Sequence, residues 1–104
     1  MNERLAKLEQ IHAADPSDAD VPYMIAQEHA QGGDHAAAIR WYDTAIGTDP
    51  EHHYAYFHKA RSQEASGDMQ GAHATLEEGL GRARTANNAK AAGEIEGYLA
   101  SLGA

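Results

Sequence analysis

The chain has 104 residues, no cysteine, and 16 Asp and Glu against 8 Lys and Arg, for a formal charge of −8 at pH 7. That length suits one domain with a modest core, and the missing cysteine excludes disulfide frameworks, thiol catalysis and cysteine-ligated zinc. The acidic balance argues against nucleic acid, whose phosphates call for a basic surface, and against docking on an anionic membrane.

A solvated acidic surface is the plain account of the charge. With three lysines in the chain, adaptation to high salt is the lesser alternative. No apolar run approaches the ~18 residues of a membrane span. The opening MNERLAKLEQIHAAD is charged and amphipathic, without the basic-then-apolar order of a secretory signal. The expectation is a cytoplasmic protein, or a piece of a longer one.

Strand signals are absent and the punctuation is regular. Asp15-Pro16, Gly32-Gly33-Asp34, Asp49-Pro50 and Gly67-Asp68 cut the chain into lengths that suit helices. The first piece, residues 3 to 13, spaces Leu5, Leu8, Ile11 and His12 helically, with Leu8 and Ile11 at core places. The second, about 19 to 31, starts with Pro22 in its first turn, where a missing N–H costs little. The third, about 35 to 47, carries Ala38, Ile39, Tyr42, Ala45 and Ile46 as a broad apolar stripe. Asp34 is placed to cap it.

The fourth piece, about 51 to 65, opens on Asp49 as cap and Pro50 in the first turn, and carries Tyr56, Phe57 and Ala60. The fifth, about 69 to 83, carries Met69, Ala72, Leu76, Gly79 and Leu80. Its glycines each weaken it by up to about 1 kcal/mol relative to Ala. The sixth, about 88 to 102, carries Ala91, Ile95, Tyr98, Leu99 and Leu102. Short loops between six helices favour antiparallel neighbours.

Residues 19 to 52 lie over 53 to 86 with a period of 34. Gly33-Asp34 falls on Gly67-Asp68, Ala26 on Ala60, Ala38 on Ala72, Ala45 on Gly79, and Ile46 on Leu80. Asp15-Pro16 stands one period before Asp49-Pro50. This pattern resembles the tetratricopeptide repeat, a 34-residue helix–turn–helix unit.

The resemblance implies an all-α superhelix: a leading half-repeat helix (1–18), two full repeats (19–52 and 53–86) and a terminal capping helix (87–104). Lys59 departs from the family pattern, standing where a large apolar residue is usual. A stem laid along the core with its ammonium in water reconciles it. Arg84 stands in place of a proline, which suggests that the fifth helix runs on.

The resemblance also implies a concave face that binds a protein or peptide partner. Its groove positions fall on Asp20, Tyr23, Gln27, Ala30 and Gln31, then on Tyr54, Phe57, Arg61, Glu64 and Ala65. The last helix would add Ala91, Ile95 and Tyr98. The aromatics offer rigid apolar area, and Arg61 and Gln27 offer hydrogen bonds. The plain alternative is that the aromatics are core and that Arg61 and Glu64 form a solvated i, i+3 pair. One subclass of the family clamps chaperone C-terminal carboxylates with Lys and Asn. Here Tyr23 and Gln27 occupy the first unit's two such places and Asp20 would repel a carboxylate, so that reading is rejected. The alternative to groove binding is a homodimer formed through the helical ends.

Seven histidines stand out: His12, His29, His35, His52, His53, His58 and His73. None makes the i, i+4 pair by which helices hold metals. Neither a metal nor a cofactor is expected. No nucleophile elbow, phosphate loop or dinucleotide fingerprint is present, so no enzymatic activity is expected.

Overall fold

In a computed structural model that describes residues 2–103, the chain forms six helices and, among the described residues, no strand. They are α1 (Glu3–Ala14), α2 (Asp20–Gln31), α3 (His35–Thr48), α4 (His53–Ala65), α5 (Met69–Thr85) and α6 (Ala89–Ser101). As the Arg84 substitution suggests, α5 runs on to Thr85.

Two turn chemistries join the helices. Where α2 meets α3, α4 meets α5 and α5 meets α6, one residue turns left-handed: Gly33 at φ 84°, Gly67 at φ 83° and Asn87 at φ 57°. The next N–H then reaches back to close the helix end. Asp34 donates to the His29 carbonyl at 2.9 Å, Asp68 to Gln63 at 2.9 Å, and Asn88 to Ala83 at 2.8 Å. The same three residues turn round as caps. Their side chains accept from Ala37, Gly71 and Ala91 at 3.1, 2.8 and 3.0 Å.

The other joints are Asp-Pro turns. Proline drives the residue before it out of the helical region, and Asp15 (φ −145°, ψ 86°) and Asp49 (φ −139°, ψ 95°) are extended alike. Each aspartate accepts an N–H two residues on, from Ser17 at 3.1 Å and from Glu51 at 3.0 Å. This corrects the expectation for α4. Asp49 shapes the turn, Pro50 precedes the helix, and His52 is the cap, its Nδ1 accepting from the Ala55 N–H at 3.3 Å.

Small residues carry the helix contacts. Ala26, Ala38, Ala45, Ala55, Ala60 and Ala72 are wholly buried. Large side chains fill the space between them in three successive clusters, around Leu8 and Ile25, around Tyr42, and around Leu76 and Ile95. Ile95 and Ala91 of α6 therefore belong to the core rather than to an open face. Ile11 does not: it is 51 % exposed. Helix α1 packs on α2, and its His12 ring meets Trp41 of α3 edge to face at 5.3 Å; among the described residues the face that a preceding helix would cover stays open. Lys59 is half-buried and its Nζ meets Asp43 at 2.6 Å, the arrangement that its place in the core demands.

Gly79 marks a close approach of one helix to another. A Cβ built there would lie 2.8 Å from Cβ and 3.0 Å from Cγ of Tyr56. Tyr56 is itself 1 % exposed and held by its hydroxyl, which donates to the Pro50 carbonyl at 2.7 Å. One period earlier the corresponding residues are Ala45 and Pro22: the smaller partner on α2 goes with the larger residue on α3.

Gly79→Ala should therefore cost about 1–2 kcal/mol, overpacking outweighing the gain in helix propensity. Gly81→Ala, with open space around it, should gain about 0.5–1 kcal/mol. Urea unfolding of the two variants checks both signs.

Candidate functional site

Helix α2 approaches α4, and α4 approaches α6, whereas among the described residues the backbones of α1, α3 and α5 stay apart from one another, α1 and α3 meeting through the His12 and Trp41 rings with centroids 5.3 Å apart. The stack is thus closer on its α2–α4–α6 side. A stack whose one layer is drawn together curves toward that layer, so this face is the concave one.

At one end Asp20 accepts from His52 Nε2 at 2.8 Å. His52 Nδ1 already accepts the Ala55 N–H, so the neutral ring with its proton on Nε2 satisfies both contacts. Tyr23 is half-buried against His52, His58 and Tyr42, with ring centroids 4.7, 5.7 and 5.9 Å away. Its hydroxyl accepts from Gln27 Nε2 at 3.1 Å. Gln31 is exposed near the end of α2.

At the other end Tyr54 is 44 % exposed, and its hydroxyl donates to Glu94 at 3.4 Å. Phe57 and Tyr98 lie with centroids 5.0 Å apart. The Tyr98 hydroxyl donates to Glu64 Oε1 at 2.6 Å. Burial, and then the Glu64 carboxylate, push this phenol above its usual range. Glu64 thus serves Tyr98, and the i, i+3 pair with Arg61 is absent among the ion pairs.

Arg61 sits between the two ends, exposed and without an ion pair among the described residues. It lines two adjoining cavities. One, of about 400 Å³, lies between α2, α3 and α4 and is lined by Gln27, Gln31, His35, Tyr42, His58 and Arg61, together with Ser62. The other, of about 310 Å³, lies between α4 and α6 and includes Phe57, Glu64, Glu94 and Tyr98.

His35, Tyr42, His58 and Ser62 were not among the residues that sequence pointed to. Tyr42 reads as apolar stripe, which it is: 1 % exposed, with its phenol raised by burial and by Tyr23. His35 opens α3 just past the turn, and its Nδ1 meets Ser62 Oγ at 3.2 Å. Ser62 is only 2 % exposed, so that bond satisfies a hydroxyl that would otherwise be stranded. His58 follows Phe57 and precedes Arg61 by three places, which puts it on the same side of α4 as Arg61. That spacing was the available signal.

Among the described residues, no helix is long and apolar enough to cross a membrane. A family model described as the tetratricopeptide repeat matches residues 5–53 and again 23–89. The chain is also similar to solved structures. A crystal structure of a tetratricopeptide repeat domain protein from Salinibacter ruber is 24 % identical, with a TM-score of 0.73, over 82 % of this chain and 94 % of that one. A solution structure of such a domain from the same organism is 25 % identical, with a TM-score of 0.77, over 85 % and 89 %. A solution structure of a Bordetella parapertussis protein is 21 % identical, with a TM-score of 0.82, over 99 % and 90 %. No curated protein matches the chain.

Burial, and then the charge of Arg61, hold the His58 imidazole below its ordinary value of 6.5. The unfolded chain therefore takes up this proton first as the pH falls. Stability linked to His58 is complete above its unfolded value and is lost as the pH drops from there through the folded value. His58→Phe should shrink the fall in urea midpoint between about pH 8 and about pH 5, each protein being compared with itself.

Proposed function

Since the chain belongs to the tetratricopeptide-repeat family, we propose that it is a non-catalytic protein-interaction module that holds a peptide segment or helix along its α2–α4–α6 face. In this reading residues 19–52 and 53–86 are the two full repeats, α1 is a half-repeat and α6 closes the stack. The groove is formed by Asp20, Tyr23, Gln27, Gln31, Tyr54, Phe57, Arg61, Glu64 and Tyr98.

The observation that supports it is the surroundings of Arg61. A guanidinium with no ion pair among the described residues stands between two cavities, with half-buried aromatic rings to either side. Aromatic and arginine side chains in partly desolvated recesses are the groups that dominate protein interfaces. The hydroxyls of Tyr23 and Tyr98 are held by Gln27 and Glu64, so these rings are oriented before a partner arrives.

A symmetric dimer through α1 is the second reading, favoured by the exposure of Ile11. A chain that sediments as a monomer at high concentration removes it.

The groove is tested by affinity capture from the native cell with the wild-type chain and with Phe57→Ala and Arg61→Ala. Each substitution should weaken capture of the same partner by about tenfold or more, and the double variant should lose it while keeping its helical spectrum. Tyr23 is left intact because it also packs on Tyr42. Undiminished capture by the folded double variant would mean that the partner binds elsewhere.

A further inference from the structure

Between α4 and α6 the cavity of about 310 Å³ has walls that are aromatic and acidic. On α4, Tyr54, Phe57, Arg61 and Glu64 follow one another at helical spacing and so share a side. From α6, Glu94 and Tyr98 close the cavity opposite them. Phe57 and Tyr98 meet with their planes 56° apart, so the two rings form a corner rather than a stack. Tyr54 adjoins Phe57 and Glu94 in a narrower recess at its side.

Two carboxylates stand at this corner. Glu64 accepts from the Tyr98 hydroxyl at 2.6 Å, and Glu94 from the Tyr54 hydroxyl at 3.4 Å. An ionised carboxylate has about four acceptor positions, so one phenol each leaves most of them open. Neither glutamate joins an ion pair among the described residues. The repeat itself does not call for Glu94. One period earlier stands Ala60 and two periods earlier Ala26, both wholly buried. Where the pattern places a small packing residue, this chain places a charge.

We propose that this cavity is a binding site for an arginine side chain of a peptide partner, held by Glu64 and Glu94 against the rings of Phe57, Tyr98 and Tyr54. The inference rests on the groove reading above and deepens it by naming a side chain that the partner presents.

Charge selects a cation. In this lining two carboxylates accompany one guanidinium, that of Arg61, so a single further positive charge brings it to balance. The formal charge of −8 draws that charge in. The rings select the kind of cation. A guanidinium is planar and weakly hydrated, and it lies on an aromatic face while its edge donates to carboxylates. Its fork of N–H donors can serve Glu64 on α4 and Glu94 on α6 together. An ammonium is compact and strongly hydrated, and it loses more on leaving water for an aromatic recess.

The test is an NMR titration of the uniformly nitrogen-labelled chain at constant ionic strength, with probes blocked at both ends. They are N-acetyl-arginine amide, N-acetyl-lysine amide and N-acetyl-citrulline amide, the last keeping the shape of arginine without its charge. The arginine amide should shift resonances of Phe57, Glu64, Glu94 and Tyr98 saturably, with a dissociation constant of about a millimolar or more. The lysine amide should bind about threefold or more weakly, and the citrulline amide should leave them unmoved. Glu64→Gln combined with Glu94→Gln should weaken arginine binding by about tenfold or more. Each glutamine keeps an acceptor for its tyrosine, so the fold is retained. Glu77→Gln combined with Glu78→Gln, exposed on α5, removes the same charge and should change binding by less than about twofold.

Linear, unsaturable shifts, an equal response to citrulline, or lysine binding as tightly as arginine would each overturn the proposal. So would no loss in the Glu64 and Glu94 double variant, or an equal loss in the Glu77 and Glu78 one. If the arginine amide fails while Phe57→Ala still weakens partner capture, the pocket falls and the groove stands.

Discussion

Everything in this fold depends on how closely backbones approach at a few places with almost no side chain. Ala26, Ala38, Ala45, Ala55, Ala60 and Ala72 are buried to the last atom. At Gly79 even a methyl group would press on Tyr56. Packing at these points fixes the angle at which one helix crosses the next. The angle, repeated along the chain, draws the backbones of α2, α4 and α6 closer than those of α1, α3 and α5. The concave face is therefore a consequence of where the small residues stand, and the large ones fill what remains.

The turns hold this register without adding to the core. Three hairpins share one left-handed residue and one capping side chain, and two joints share one extended aspartate before proline. Each joint satisfies the helix ends it connects, so few backbone groups need help from outside the turn. That frees the side chains of the concave face for contacts with one another, such as His52 with Asp20 and Tyr98 with Glu64. Among the described residues these contacts leave the Arg61 guanidinium without an ion pair, and so the functional proposal centres on it.

The helices, their turns and the buried alanines were legible in the sequence because they are local or periodic. Gly33 and Gly67, Asp15-Pro16 and Asp49-Pro50 announce themselves by residue type and a constant spacing of 34. Asn87 was not read as a third such turn, because asparagine tolerates the left-handed region less plainly than glycine does. The start of α4 was misplaced because an aspartate before proline can cap a helix or fold an Asx turn, and only the following backbone decides. Ile11 was assigned to the core by its spacing. Periodicity tells which residues share a face, whereas burial needs a neighbour to cover that face, and α1 has a neighbour on one side alone. The lining of the larger cavity was illegible for a related reason. His35, His58 and Ser62 come together across α3 and α4 at separations that no single-helix pattern encodes. The partner of Glu64 was missed likewise: Tyr98 is 34 residues away in sequence and 2.6 Å away in space.

The most direct test of the central claim compares one enlargement at two alanines of the same helix. Ala72 is wholly buried where α5 meets its neighbours, and Ala74, two places on, is exposed. Ala72→Leu should lower the stability measured by urea unfolding by about 1–3 kcal/mol or prevent folding altogether, whereas Ala74→Leu should change it by less than about 0.5 kcal/mol. Equal tolerance of the two leucines would show that close helix approach at small residues does not set this architecture.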